Sequence, residues 1–134
     1  MEKTQKDKII VYWKQGAKKS LGLAKDVLEK RYYDHSLFCG HLALEKLLKA
    51  KAVQTTDKYA PHSHDLLYLA GLAKIDLDME QQKFLNEVNG FNIAGRYPEE
   101  KLEFYKTVKK DFAFEKLKEI NEFYLWLSKQ NEKN

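Results

Sequence analysis

The chain is poor in the residues that staple, kink or punctuate a fold. It has a single cysteine, Cys39, so it can form no internal disulfide and build no cysteine metal site; that usage fits a reducing compartment. Two prolines and six glycines in 134 residues disfavour both a strand-and-turn architecture and disorder. No apolar run approaches the ~20 residues needed to cross a bilayer, so no membrane partner is expected. The opening MEKTQKDK lacks the apolar segment of a signal peptide, and the expectation is a cytoplasmic protein. Charge of one sign is also scarce: the net is only +4. Nine Lys or Arg face four acids in the first 31 residues, but they are spread around one helix, where solvating an exposed face is their ordinary role. Such a charge permits a weak attraction to RNA or nucleotides without demonstrating one.

What is present is core material. Hydrophobic residues make up 43% and aromatics 13%, enough for one domain that buries roughly two-thirds of its unfolded surface. From Ile9 to Lys30, Ile10, Trp13, Ala17, Leu21, Ala24 and Leu28 step by three or four, the pattern of a long amphipathic helix. A second helix over 34–54 is apolar nearly all round and is expected to be central. Lys46, Lys49 and Lys51 lie toward its C-terminal end, where the helix dipole favours cations. A short third helix starts at HSHDLLYLAGLA, with Ser63 as candidate N-cap and Asp65 in the first turn. Asp78 and Gln81 form a capping-box pattern opening a fourth helix, whose Phe84, Leu85, Val88 and Phe91 face inward. The stretch GFNIAGRYPEE is expected to break it through Gly90, Gly95 and Pro98. A last helix spans 109–130. The fold class is all-α: an up-and-down bundle of four main helices plus a short extra one, as a single domain over 1–134.

Three places in this framework carry candidate chemistry. On the second helix His41, Glu45 and Lys49 fall within about 80° of one another, a polar stripe on an otherwise buried element. It is either a solvated seam with one Glu–Lys pair, worth ~0.2–0.5 kcal/mol, or a seam at a helix–helix or subunit interface or beneath a nucleotide, where Lys49 meets a phosphate and His41 and Glu45 serve as hydrogen-bonding groups. His62 and His64 resemble a fragment of a metal site, but no spacing of His35, His41 or carboxylates completes one, and no metal or other cofactor is expected. The ring of His64 is instead expected to bond nearby backbone at a helix start. Arg96, between Gly95 and Tyr97, offers a planar fork for phosphate or carboxylate beside a stacking ring, or else bonds the end of a neighbouring helix. Phosphate-loop, dinucleotide-turn and nucleophile-elbow motifs are absent, and Cys39 sits in a helix where a thiol is usually inert packing.

Taken in order, Ala43-Leu44-Glu45-Lys46-Leu47-Leu48-Lys49-Ala50, Ser63-His64-Asp65-Leu66 and Arg96-Tyr97-Pro98 resemble the motifs of the HEPN (higher eukaryotes and prokaryotes nucleotide-binding) family, over about 8–130. The resemblance implies a helical bundle that commonly dimerises. It also implies a small prokaryotic type paired with a minimal nucleotidyltransferase in a toxin–antitoxin or nucleotide-handling couple. Several branches of the family are metal-independent ribonucleases with an arginine, four to six residues, then a histidine. This chain departs from that pattern: only three residues separate Arg31 from His35, and no histidine follows Arg96. Since in-line RNA cleavage needs a placed acid and base, the expectation is a non-catalytic module with no catalytic residues. It would bind a nucleotide of the ATP or GTP class, a nucleotidyltransferase, or both, through Lys46, Lys49, His64, Arg96 and Tyr97, supported by His41 and Glu45. The alternatives are a divergent ribonuclease toxin using Arg31 and His35 and a protein-interaction scaffold.

Overall fold

The structure is a computed structural model and describes residues 1–96, 99, 103 and 108–131. Among these the chain forms five helices and no strand: α1 (Lys3–Glu29), α2 (Tyr33–Thr56), α3 (Leu66–Leu72), α4 (Met79–Arg96) and α5 (Lys110–Ser128). The all-α bundle read from periodicity is the observed fold. None of these helices is long and apolar enough to span a membrane.

α2 is the axis of the bundle. Fourteen of its 24 residues are buried, more than packing on one face allows, and it touches all four other helices. α1 lies against it through Ala17, Ser20, Leu21, Ala24 and Leu28. Several of these are small, which lets the two backbones approach and lets the Ser36 hydroxyl donate to the Ala24 carbonyl at 2.7 Å. On another side Gly40 makes the approach of α5 possible, because a Cβ there would lie 2.8 Å from Ile120 Cδ1. Phe84, Phe123 and Trp126 then stack between α4 and α5, with ring centroids 5.3–5.6 Å apart.

The ends of the helices explain where they stop. α1 closes with the Tyr32 N–H donating to the Val27 carbonyl and the Arg31 N–H to the Leu28 carbonyl, both at 2.9 Å. This is a Schellman motif whose left-handed position, ordinarily glycine, holds Arg31 at φ 67°. α3 is capped by Asp65, which accepts from the Leu67 N–H at 3.0 Å, rather than by Ser63, whose hydroxyl accepts from the Asp65 N–H one step earlier. Asn89 of α4 holds that cap by accepting from Leu66 N–H and donating to Asp65. The box at the start of α4 is as expected: Asp78 and Gln81 exchange backbone-to-side-chain bonds of 2.8 and 3.0 Å. The expected break at Gly90 does not occur. α4 continues through it to Arg96, since Gly90 keeps an ordinary φ and an isolated helix glycine costs only ~1 kcal/mol. Lys51 also departs from expectation. Rather than serving its own helix end, its buried ammonium donates to the carbonyls of Ser128 and Gln130 at 3.1 and 2.7 Å, capping α5.

Candidate functional site

The polar stripe on α2 is covered. His41 is fully buried and Glu45 and Lys49 are only 4% and 6% exposed; His64 lies against His41 and Glu45, and Trp13 of α1 lies beside Lys49. Nε2 of His41 donates to the His64 carbonyl at 3.0 Å, pinning that segment by its backbone. Nδ1 of His64 donates to Glu45 Oε1 at 2.9 Å, in place of the bond to nearby backbone expected from its sequence position. The Lys49 ammonium donates to Glu45 Oε2 at 3.1 Å and lies 5.2 Å from the centroid of the Trp13 ring. One carboxylate therefore receives an ammonium on one oxygen and an imidazole on the other. For a ligand phosphate to reach Lys49 it would have to displace Glu45, and breaking a buried pair by removing one partner costs about 3–5 kcal/mol. Lys46 lies on the α1 side, its stem against Gly16 and its ammonium donating to Ser20 Oγ at 2.8 Å.

Thus the structure brings His41, Glu45, Lys49 and His64 together as one largely buried network, with the His64 side chain still 46% exposed. Arg96 is the last residue of α4, its side chain outside the described part, and Tyr97 and Pro98 lie outside the described residues. His62 is exposed. Among the described residues no group of three or more His, Cys, Asp or Glu is placed to hold a metal ion.

A more open arrangement lies where α1 turns into α2 beside the start of α5. A groove of about 670 Å³ is lined there by Lys30, Arg31, Lys109 and Lys110, together with Tyr32, Tyr33 and the pair Asp34–His35. His35 is exposed, its Nδ1 donates to Asp34 Oδ1 at 3.2 Å, and the Tyr32 ring meets it edge-on at 6.2 Å. Two features of this groove run against local preference. Arg31 occupies a left-handed position, which costs a residue with a Cβ about 1–2 kcal/mol. Lys109 and Lys110 stand at the N-terminus of α5, the positive end of its dipole, and Lys109 supplies no side-chain cap; Asp111 is the acid of the first turn.

Arg31 and His35 stand out in the sequence, whereas Lys109 and Lys110 do not. Two adjacent lysines signal little until the helix start between them is known. A larger cavity of about 1050 Å³ lies beside the N-terminal half of α1, lined by lysines that include Lys6 and Lys74. Its cations are partly spent on its own acids, as in the 3.3 Å contact of Lys6 with Asp57, and among the described residues it offers no aromatic face. For a flat, anionic ligand the smaller groove is the better match.

No curated protein and no solved structure matches this chain. The HEPN domain family model matches residues 10–131, nearly the whole length, from the first turns of α1 to the end of α5. With that match and an all-helical bundle built on the Glu45–Lys49 helix, the chain belongs to the HEPN domain family.

Proposed function

We propose that this HEPN domain binds a nucleotide, its phosphates held by Arg31, Lys30, Lys109 and Lys110 at the α1–α2 turn and its base against Tyr32 or Tyr33. The observation that carries the reading is the convergence of four cations and two tyrosines on one groove where, among the described residues, the single carboxylate, Asp34, is already engaged by His35. Arginine supplies the planar fork that suits phosphate oxygens, and the α5 N-terminus adds backbone N–H groups and a favourable dipole. A bound anion would also relieve the crowding of like charge at Lys109–Lys110. In this reading the interior network of Glu45, Lys49, His41 and His64 holds the bundle together instead of meeting the ligand. Isothermal titration with ATP, GTP and their diphosphates tests it. Heat lost on Arg31→Ala supports the reading; no heat from any of the four removes it.

A second reading is favoured by one observation: Arg31 and His35 share this groove, and His35 is oriented by Asp34 through Nδ1. Nε2 of an imidazole held in that way is suited to taking a proton from a ribose 2′-hydroxyl, with Arg31 against the phosphate. It requires cleavage of single-stranded RNA in the presence of chelator, abolished by His35→Ala. The wider proposal, following from family resemblance, is that the domain self-associates and pairs with a minimal nucleotidyltransferase as part of a toxin–antitoxin couple. Co-purification of the two proteins after co-expression checks the pairing.

A further inference from the structure

About 20 Å further along α5 the chemistry changes sign. A groove of about 340 Å³ between the start of α4 and the second half of α5 is floored by Phe84, Phe123 and Trp126. Its rim holds Asp78, Glu80, Glu119 and Glu122, and among the described residues no lysine, arginine or histidine lines it, although the chain carries a net +4. It runs on into a second depression of about 350 Å³ that shares Glu80, Phe84 and Glu119, so the feature is an extended cleft rather than a hole.

The second depression shows what such a surface holds. There Lys116 donates to Glu87 at 2.7 Å and to Glu119 at 3.1 Å, and its ammonium lies 5.7 Å from the centroid of the Phe112 ring. Burial alone would lower its affinity for the proton, but the two carboxylates outweigh that and hold the ammonium above the usual lysine range. One to two turns along, carboxylates and aromatic faces recur, and among the described residues no cation is paired with Glu122, while Glu80 has the loose 3.9 Å contact of Lys83. Faces of Trp and Phe attract cations, and flanking carboxylates add to that attraction.

We propose that this cleft docks a basic segment of a partner polypeptide, an arginine or lysine side chain of which lies over Trp126 and Phe123 between Glu80 and Glu122, as Lys116 lies over Phe112. The length of the cleft suits a segment of chain, and its charge is opposite to that of the groove at the other end of α5. The two surfaces can therefore be occupied at once, and this proposal does not depend on the nucleotide reading.

The test uses the whole chain and a short fluorescein-labelled peptide of alternating arginine and alanine, read by anisotropy. The expected result is saturable binding, weakened about tenfold by Glu80→Gln/Glu122→Gln and again by Trp126→Leu, with the citrulline counterpart of the peptide not binding. The double glutamine variant changes only exposed charge, so it tests the idea even where Trp126→Leu disturbs folding. Equal affinity for the arginine and citrulline peptides, or for the parent and double variant, overturns the proposal. Binding of spermidine without binding of the peptide overturns it in favour of a small amine. Dimerisation that the double variant abolishes, with no peptide binding, overturns it in favour of a second copy of this chain.

Discussion

Arg31→Gly should make the protein more stable and a poorer binder at once. The left-handed backbone at Arg31 costs a residue with a Cβ about 1–2 kcal/mol, which glycine does not incur. Glycine returns about 0.4–1 kcal/mol of this through the freedom it gives the unfolded chain, so a net gain of roughly 0.5–1 kcal/mol remains. For a domain of this size that is about 2–4 °C in Tm by calorimetry. On the proposed nucleotide reading the same change removes a charge-assisted contact to phosphate, worth about 1.5–3 kcal/mol, so nucleotide affinity by titration should fall tenfold or more. A matched control exists in the chain. Lys74 ends α3 in the same motif at φ 54°, with Ile75 N–H donating to Ala70 and Lys74 N–H to Gly71, but it lines the larger cavity instead. Lys74→Gly should stabilise to a similar degree and leave nucleotide binding unchanged. If Lys74→Gly abolishes binding while Arg31→Gly spares it, the ligand sits in the other cavity and the site assignment is refuted.

Three further outcomes follow from the helices themselves. Glu45→Gln should cost about 3 kcal/mol in urea unfolding by stranding the buried Lys49 ammonium. Combined with Lys49→Met it should cost at least 1 kcal/mol less than the sum of the two, and strict additivity would contradict the buried network. Gly90→Ala should raise stability by about 0.8–1 kcal/mol, because nothing lies within 4 Å of the added Cβ and α4 runs straight through; a loss would mean the helix breaks there after all. Burial, opposed by the charge of Lys46, pushes the Cys39 thiol above its ordinary range, so less thiolate is present at neutral pH than in the unfolded chain. Iodoacetamide should therefore alkylate Cys39 more slowly in the native protein than in urea, the gap narrowing as pH rises through the native value, and equal rates near pH 8 would contradict that burial.

The bundle was legible because its helices obey local rules. The spacing of Ala17, Leu21, Ala24 and Leu28 states which face of α1 is covered, and the Asp78–Gln81 box states where α4 begins. Periodicity, however, reports where a polar stripe points and not what lies on top of it. Whether His41 and Glu45 face water or protein is decided by the path of residues 62–66. That path depends on Asn89, 24 positions beyond Asp65 in the chain, gripping the α3 cap. No spacing rule within α2 contains this information. The reach of Lys51 to the end of α5, 77 residues away, is hidden for the same reason.

The groove was half legible, and the half that was missed is instructive. Arg31 and His35 attracted notice through their identity, whereas Lys109 and Lys110 became informative only once α5 was seen to begin at them. Arginine where a Schellman motif prefers glycine and lysines at the wrong end of a dipole are each small local errors, of order 1 kcal/mol apiece. Scattered over a surface they would mean nothing, and Lys74 shows that one alone is tolerated. Here two of them face the same groove, beside Tyr32 and Tyr33, and one phosphate would offset the like-charge crowding there. Residues that fit their local setting specify the bundle; on the proposed reading, those that misfit together, with charge of one sign, are the ones that a bound nucleotide completes.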